Sequence, residues 1–188
     1  MLAVKNPVVV YAESTPNPAS MKFVLNSLIL QSGSVEFKNK DEAKSCPLAL
    51  QLFDFSGVTA VFIASNFVTV SKEGTFEWIE LVPIIREFIK GFIESGEPIF
   101  TGEKGQKADP ALERTSTSSA IESKIIEALE EYVKPAVEQD GGAIHFKSFL
   151  DGTVTLILKG ACSGCPSSVL TLKSGIENLL KQLIPEVH

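Results

Sequence analysis

Between Gly96 and Ser118 the chain runs through Gly, Pro, Thr, Ser and charged residues with almost no apolar periodicity, Ile99 and Phe100 excepted. Such a stretch adds little to a packed core and reads as a flexible linker of about 20 residues. It splits the 188 residues into two small pieces, 1–96 and 119–188, with 97–118 between them. Hydrophobic residues make up 44% of the chain, so each piece can bury a core and a wholly disordered chain is excluded. The expected architecture is α+β: two small domains, each a small, mostly antiparallel sheet packed against helices.

In the first piece Val8–Ala12 reads as a short strand stopped by Ser14-Thr15-Pro16-Asn17-Pro18, a rigid turn. Met21–Leu30 suggests two short strands around Asn26-Ser27. Ser45-Cys46-Pro47 opens a short helix that presents Leu48, Ala49, Leu52 and Phe53 on one face, and Gly57 stops it. Val58–Ala64 and Phe67–Ser71 form a hairpin around Ser65-Asn66. Thr75 is placed to cap a helix over 76–95 carrying Ile79, Val82, Ile85, Ile89 and Phe92, with Pro83 kinking it or marking a late start.

The second piece opens with Ser119 and Glu122 in capping-box register, ahead of the stripe Ile121, Ile125, Leu129, Tyr132, Val133, Ala136 and Val137. Pro135 inside the stripe predicts a bend, and Asp140-Gly141-Gly142 should end the helix near Gln139. Ala143–Leu150 and Thr153–Lys159 are strands joined by Asp151-Gly152, a strong hairpin signal. Ile144 and Phe146 should share a face with Val154, Leu156 and Leu158, leaving His145 and Lys147 on the other. A last helix should start at Pro166, show Val169, Leu172, Ile176, Leu179, Leu180 and Leu183 on one side, and end at Pro185.

Apolar runs such as Val58–Ala64 are strand-sized and well short of the roughly 20 residues a membrane-spanning helix needs, so no membrane partner is expected. A net charge of −6, with 17 basic residues scattered singly, removes the basic stripe that nucleic acid requires. Three cysteines are too few for a disulfide scaffold and point to a reducing compartment. Met1–Tyr11 has neither the long apolar core of a secretory signal nor the Arg-rich character of a transit peptide: either nothing was targeted or a targeting piece has been removed, and the expectation is a cytoplasmic protein.

Chemistry concentrates in Gly160-Ala161-Cys162-Ser163-Gly164-Cys165-Pro166, where two thiols stand three residues apart between a strand and a helix. A helix start favours an anionic thiolate, which is both the nucleophile of redox exchange and a ligand for soft metals. Cys-x-x-Cys alone leaves a redox dithiol, half a zinc site and half an iron-sulfur site open. Zinc sites and iron-sulfur clusters generally take four protein ligands, and the motif offers two. If it holds metal, two chains contributing two thiolates each is the simplest arrangement, with one cluster on a two-fold axis. A thioredoxin-type site would follow a βαβ pattern, whereas here an antiparallel hairpin precedes the motif.

Glu138-Gln139-Asp140-Gly141-Gly142, Gly160–Ser168, Thr171-Leu172-Lys173-Ser174-Gly175-Ile176-Glu177 and Ile184-Pro185-Glu186-Val187 together resemble the C-terminal domain of NifU-like (Nfu) proteins. Glu13-Ser14-Thr15-Pro16-Asn17-Pro18 with Met21-Lys22-Phe23, Leu52-Phe53 and Gly57–Phe62 is similar to the Nfu N-terminal domain. The resemblance implies a non-enzymatic iron-sulfur cluster scaffold or carrier. Cys162 and Cys165 would ligate a cluster bridging two copies of the chain, 4Fe-4S ahead of 2Fe-2S. It further implies loading by the iron-sulfur assembly machinery, delivery to apo iron-sulfur proteins, and an N-terminal domain that recognises partners rather than binding iron. A thiol-disulfide oxidoreductase and a zinc-bridged adaptor are the competing readings.

Other candidates have plainer explanations. Cys46 reads as a small residue at a helix start, Asp140-Gly141-Gly142 as helix termination, and His145 as solvent-facing or hydrogen-bonded. Thr15-Pro16-Asn17-Pro18 reads as a rigid turn between strands, with a partner-binding loop as the alternative, and Trp78 as a core or domain-interface residue. No Ser/His/Asp set, phosphate-binding glycine loop or catalytic carboxylate pair can be assembled.

Overall fold

A computed structural model describes residues 7–101, 120–163 and 166–188. The architecture is α+β, as expected: two sheet-plus-helix regions, one before and one after residues 102–119. The greater part of the expected linker therefore lies outside the described residues, as does Ser119 of the expected capping box.

The N-terminal region holds strands β1 (Val10–Ser14), β2 (Ser20–Leu25), β3 (Ser34–Phe37), β4 (Val58–Ala64) and β5 (Phe67–Lys72). They form one antiparallel sheet in the order β1-β2-β5-β4-β3. Two helices, α1 (Pro47–Leu52) and α2 (Trp78–Ser95), cover one face. Phe23, Leu25, Val61, Ile63, Val68 and Val70 from the strands meet Leu48, Leu52, Ile85 and Ile89 from the helices there, all within the buried core.

Several local expectations shift by a few residues, each for a visible reason. The chain after Asn26 forms a turn in place of a second strand, because the Ile29 and Leu30 amides both donate to the Ser65 carbonyl, at 2.8 and 2.9 Å. Ser65 holds φ +44° in the β4–β5 turn. Helix α2 starts at Trp78, with no side-chain cap, instead of near Phe76 after a Thr75 cap. Phe76 is drawn out of the helix to lie over Gly57, where a Cβ would fall 2.2 Å from its ring. Strand β3 is only four residues long and lies inside a mainly polar stretch, too short to show a period of its own.

The C-terminal region begins with α3 (Ala120–Ala128), widens into a π-helical turn at Leu129–Val133, and continues as α4 (Lys134–Gln139). Pro135 accounts for the widening: it has no N–H for the Glu131 carbonyl and its ring crowds that oxygen, so the predicted bend is taken up by a looser turn. Strands β6 (Gly142–Leu150) and β7 (Thr153–Gly160) form the hairpin, with Asp151 at φ +46° and Gly152 at +77° in its turn. Helix α5 (Pro166–Leu183) closes the core with Ile176 and Leu180.

The hairpin carries a bulge at Lys147, between the pairs Phe146↔Leu156 and Ser148↔Thr155. The extra residue reverses the alternation, so Phe149 joins Ile144, Phe146, Val154, Leu156 and Leu158 against the core while Lys147 stays exposed. An unbroken strand would put Phe149 on the opposite face. Phe149→Ser is expected to destabilise the protein by about 1–3 kcal/mol and Lys147→Ser to change stability by less than about 0.5 kcal/mol. Chemical denaturation of the two variants checks this.

Candidate functional site

At Gly160, φ +65°, the chain leaves β7 for a 3-10 turn, Ala161–Ser163, which carries Cys162. The Ser163 hydroxyl donates to the Gly160 carbonyl at 2.9 Å and closes the turn. The Ala161 amide donates to the Gly141 carbonyl at 3.2 Å, tying the turn to the segment that leaves α4. Helix α5 then begins at Pro166, as expected. Cys165 lies outside the described residues, and with it the thiol expected at the helix start.

Asp140-Gly141-Gly142 does more than terminate a helix. Gly141, at φ +79°, turns the chain. A Cβ at Gly142 would sit 2.7 Å from Cys162 Sγ and 2.6 Å from the Lys159 carbonyl oxygen, so its bare backbone is the floor on which the thiol rests. Cys162 is 6% exposed, and burial first, the nearby Asp140 second, push its thiol up to about 11. The surroundings of Cys162, the apolar core and one carboxylate, favour the neutral thiol, while the helix-start expectation concerns Cys165, outside the described residues.

The N-terminal sheet faces this turn. Asn17 Nδ2 donates to the Ala161 carbonyl at 3.1 Å, and Pro16, Asn17, Asp140, Ala161, Cys162 and Leu172 enclose a recess of about 30 Å³. Thr69 Oγ1 donates to the Gly141 carbonyl at 2.8 Å, Lys22 Nζ to the Gln139 carbonyl at 3.2 Å, and the Gly160 amide to Glu36 Oε1 at 2.8 Å. Sequence reasoning missed Lys22, Glu36 and Thr69. The available signal was Thr69 itself, a hydroxyl between Val68 and Val70 in a strand buried on both sides.

Thr15-Pro16-Asn17-Pro18 is the expected rigid turn, joining β1 to β2. Asn17 Oδ1 accepts from the Ala19 amide at 3.0 Å and Trp78 Nε1 donates to the Pro18 carbonyl at 2.9 Å. His145 is hydrogen-bonded rather than metal-facing, its Nε2 lying 3.1 Å from Ser34 Oγ, and burial lowers its pKa, with Lys134 adding to the effect. Cys46 is fully buried at the start of α1, its thiol raised to about 11 mainly by burial, and it makes no disulfide. No group of three or more His, Cys, Asp and Glu suited to a metal ion forms among the described residues.

Comparison with known proteins decides the family. Residues 10–96 match the family described as scaffold protein Nfu/NifU N terminal, and residues 125–188 match the NifU-like domain. The human mitochondrial NFU1 iron-sulfur cluster scaffold homolog is 39% identical over 185 residues, covering 95% of this chain and 69% of the relative. This chain belongs to the Nfu/NifU scaffold family.

The mitochondrial NifU-like protein 5 of Arabidopsis thaliana is 40% identical over 180 residues, 95% of this chain and 65% of the relative. The chain spans about two thirds of the length of these relatives. A solved NifU-like protein of Saccharomyces cerevisiae has 25% identity and a TM-score of 0.48, covering 55% of this chain and 92% of its own. The expectation of a cytoplasmic protein is overturned, because Nfu relatives from plant, human and fly are named mitochondrial. Cysteine usage separates reducing from oxidising compartments but does not say which reducing compartment.

Gly142→Ala, which drives a methyl into Cys162 Sγ and the Lys159 carbonyl, should cost about 1–3 kcal/mol. Gly91→Ala, in α2 with open space around it, should add about 0.5–1 kcal/mol. Denaturation midpoints of the two variants test both. The raised thiols set a pH window: the folded chain holds their protons more tightly than the unfolded chain, whose thiols titrate near 9.0. Their contribution to stability is whole below about pH 9 and is lost as pH rises toward about 11. Cys162→Ala should lose less stability than the unsubstituted chain between pH 8 and about pH 10.5, compared by denaturation at both.

Proposed function

We propose that this Nfu-family chain is an iron-sulfur cluster scaffold and carrier in mitochondria, without catalytic turnover. A cluster, 4Fe-4S ahead of 2Fe-2S, is the cargo, held by Cys162 and Cys165 of two copies of the chain. The cluster comes from the assembly machinery and is passed to apo iron-sulfur proteins. Residues 119–188 form the cluster-binding domain, 97–118 the linker, and 1–96 the domain that recognises partners.

The observation that carries this reading is the seat of Cys162: a thiol without a disulfide partner, on a glycine floor, in the turn that feeds α5 of a NifU-like domain. The chemistry of the donor set fits the cargo. Sulfur is the soft ligand that iron-sulfur clusters take, and two thiols are half of a four-thiolate shell. A second copy supplies the other half with the fewest additional parts.

Anaerobic reconstitution with iron and sulfide should give a visible sulfur-to-iron charge-transfer band, about two irons per chain, and a doubling of particle size. Cys162→Ala and Cys165→Ala should each abolish the band and the doubling. Persistence of the band in the double variant refutes the ligand assignment. Material that takes up no iron and cycles between dithiol and disulfide is an oxidoreductase, and stoichiometric zinc in anaerobically purified protein identifies the zinc-bridged adaptor.

A further inference from the structure

The N-terminal sheet has two covered faces, and the second is covered by the cysteine-bearing end of the same chain. The described N-terminal region has five buried polar or charged side chains: Asn17, Ser20, Lys22, Ser34 and Thr69. Four of them bond across to the C-terminal region: Asn17, Lys22 and Thr69 to carbonyls flanking the cysteine turn, Ser34 to His145. Glu36, its side chain only 10% exposed, adds a fifth bond by accepting the Gly160 amide. Such groups are buried at a net cost unless the partner is there to meet them.

Two glycines at positive φ lie close against the sheet. A Cβ at Gly141 would stand 3.0 Å from Thr69 Oγ1 and 3.3 Å from the Lys22 side chain, and one at Gly160 would stand 3.0 Å from the Phe62 ring. Both glycines of the C-terminal region therefore admit the N-terminal sheet at backbone distance. Val24, Phe62, Ala64 and Phe67 close over Ala143 as a small apolar cluster of their own.

The recess beside Cys162, about 30 Å³, is walled on one side by Pro16 and Asn17 of the N-terminal region, so that region stands over the described approach to the thiol. We propose that the N-terminal sheet is the docking surface for the cysteine turn of its own chain, with Asn17 as the positioning residue, and that this closed form must open before a second chain and a cluster can reach Cys162. Eighteen residues separate Thr101 from Ala120, enough to reach roughly 60 Å when extended, so the covalent connection permits separation. The role of opening in loading rests on the cluster-carrier reading; the closed form itself does not.

Two measurements on the iron-free full chain decide the closed form. In the unsubstituted protein the Gly160 amide should exchange slowly with solvent by NMR, because its acceptor is Glu36; exchange at the rate of an open amide overturns the proposal. In the combined variant Asn17→Ala, Thr69→Val, Glu36→Ala, the alkylation rate of Cys162, read by peptide mass spectrometry, should rise at least about tenfold and the radius of gyration by small-angle scattering should grow. Unchanged values for both overturn the closed form.

The variant should also take up iron and sulfide faster than the unsubstituted chain. Equal loading rates, with Cys162 freed, overturn the gating role while leaving the carrier reading intact. Absence of loading in both proteins fails the carrier reading, while exchange and alkylation still decide the closed form.

Discussion

The central strands of the N-terminal sheet must be covered twice, and the rest of the molecule follows from that. In β4, Val61, Phe62, Ile63 and Ala64 are all buried; in β5, so are Phe67, Val68, Thr69 and Val70. Successive side chains point to opposite faces, so four consecutive buried positions mean two cores, one on each side. Helices α1 and α2 supply the first. A two-stranded hairpin with its glycine-rich ends supplies the second, bringing Cys162 against the N-terminal region.

A sheet face that meets a turn instead of a helix needs a partner with almost no side chain. Gly141 and Gly160 provide it, and the Gly141 carbonyl and Gly160 amide are then satisfied from the sheet by Thr69 and Glu36. The Gly141 carbonyl uses both lone pairs, one for the Ala161 amide within the cysteine turn and one for the Thr69 hydroxyl across the seam. One oxygen thus couples the shape of the turn to the presence of the sheet. Gly142 acts on the other side, fixing how deep the thiol sits.

Element type was largely legible from periodicity, because α2, α5 and both hairpins carry their signals locally. What escaped was decided by contacts distant in sequence. The bulge at Lys147 left no residue-type signature, and it moves Phe149 to the core face. Phe76 left its helix because Gly57, nineteen positions earlier, offers a place for the ring. The spacing singled out Cys162 as a candidate but not its burial, which comes from elements elsewhere in the chain and raises its thiol, whereas the helix-start argument belongs to Cys165. The second face of the sheet was written in the unbroken apolar run Val61–Ala64 and in the buried Thr69 hydroxyl, both of which ask for a layer beyond the helices.

The composition of the seam also says how firmly it holds. Its apolar part is five residues, against nineteen buried in the N-terminal core and eleven in the C-terminal core. Among the described residues it also carries hydrogen bonds, several of them to backbone carbonyls that water can solvate after separation. Hydrogen bonds exchanged for water contribute little net stability each, whereas apolar area carries most of a permanent interface. An interface of this make-up resembles the transient contacts between domains rather than a permanent core, which is the basis for the opening proposed above. Among the described residues, Cys162 thus lies where the C-terminal core meets this seam.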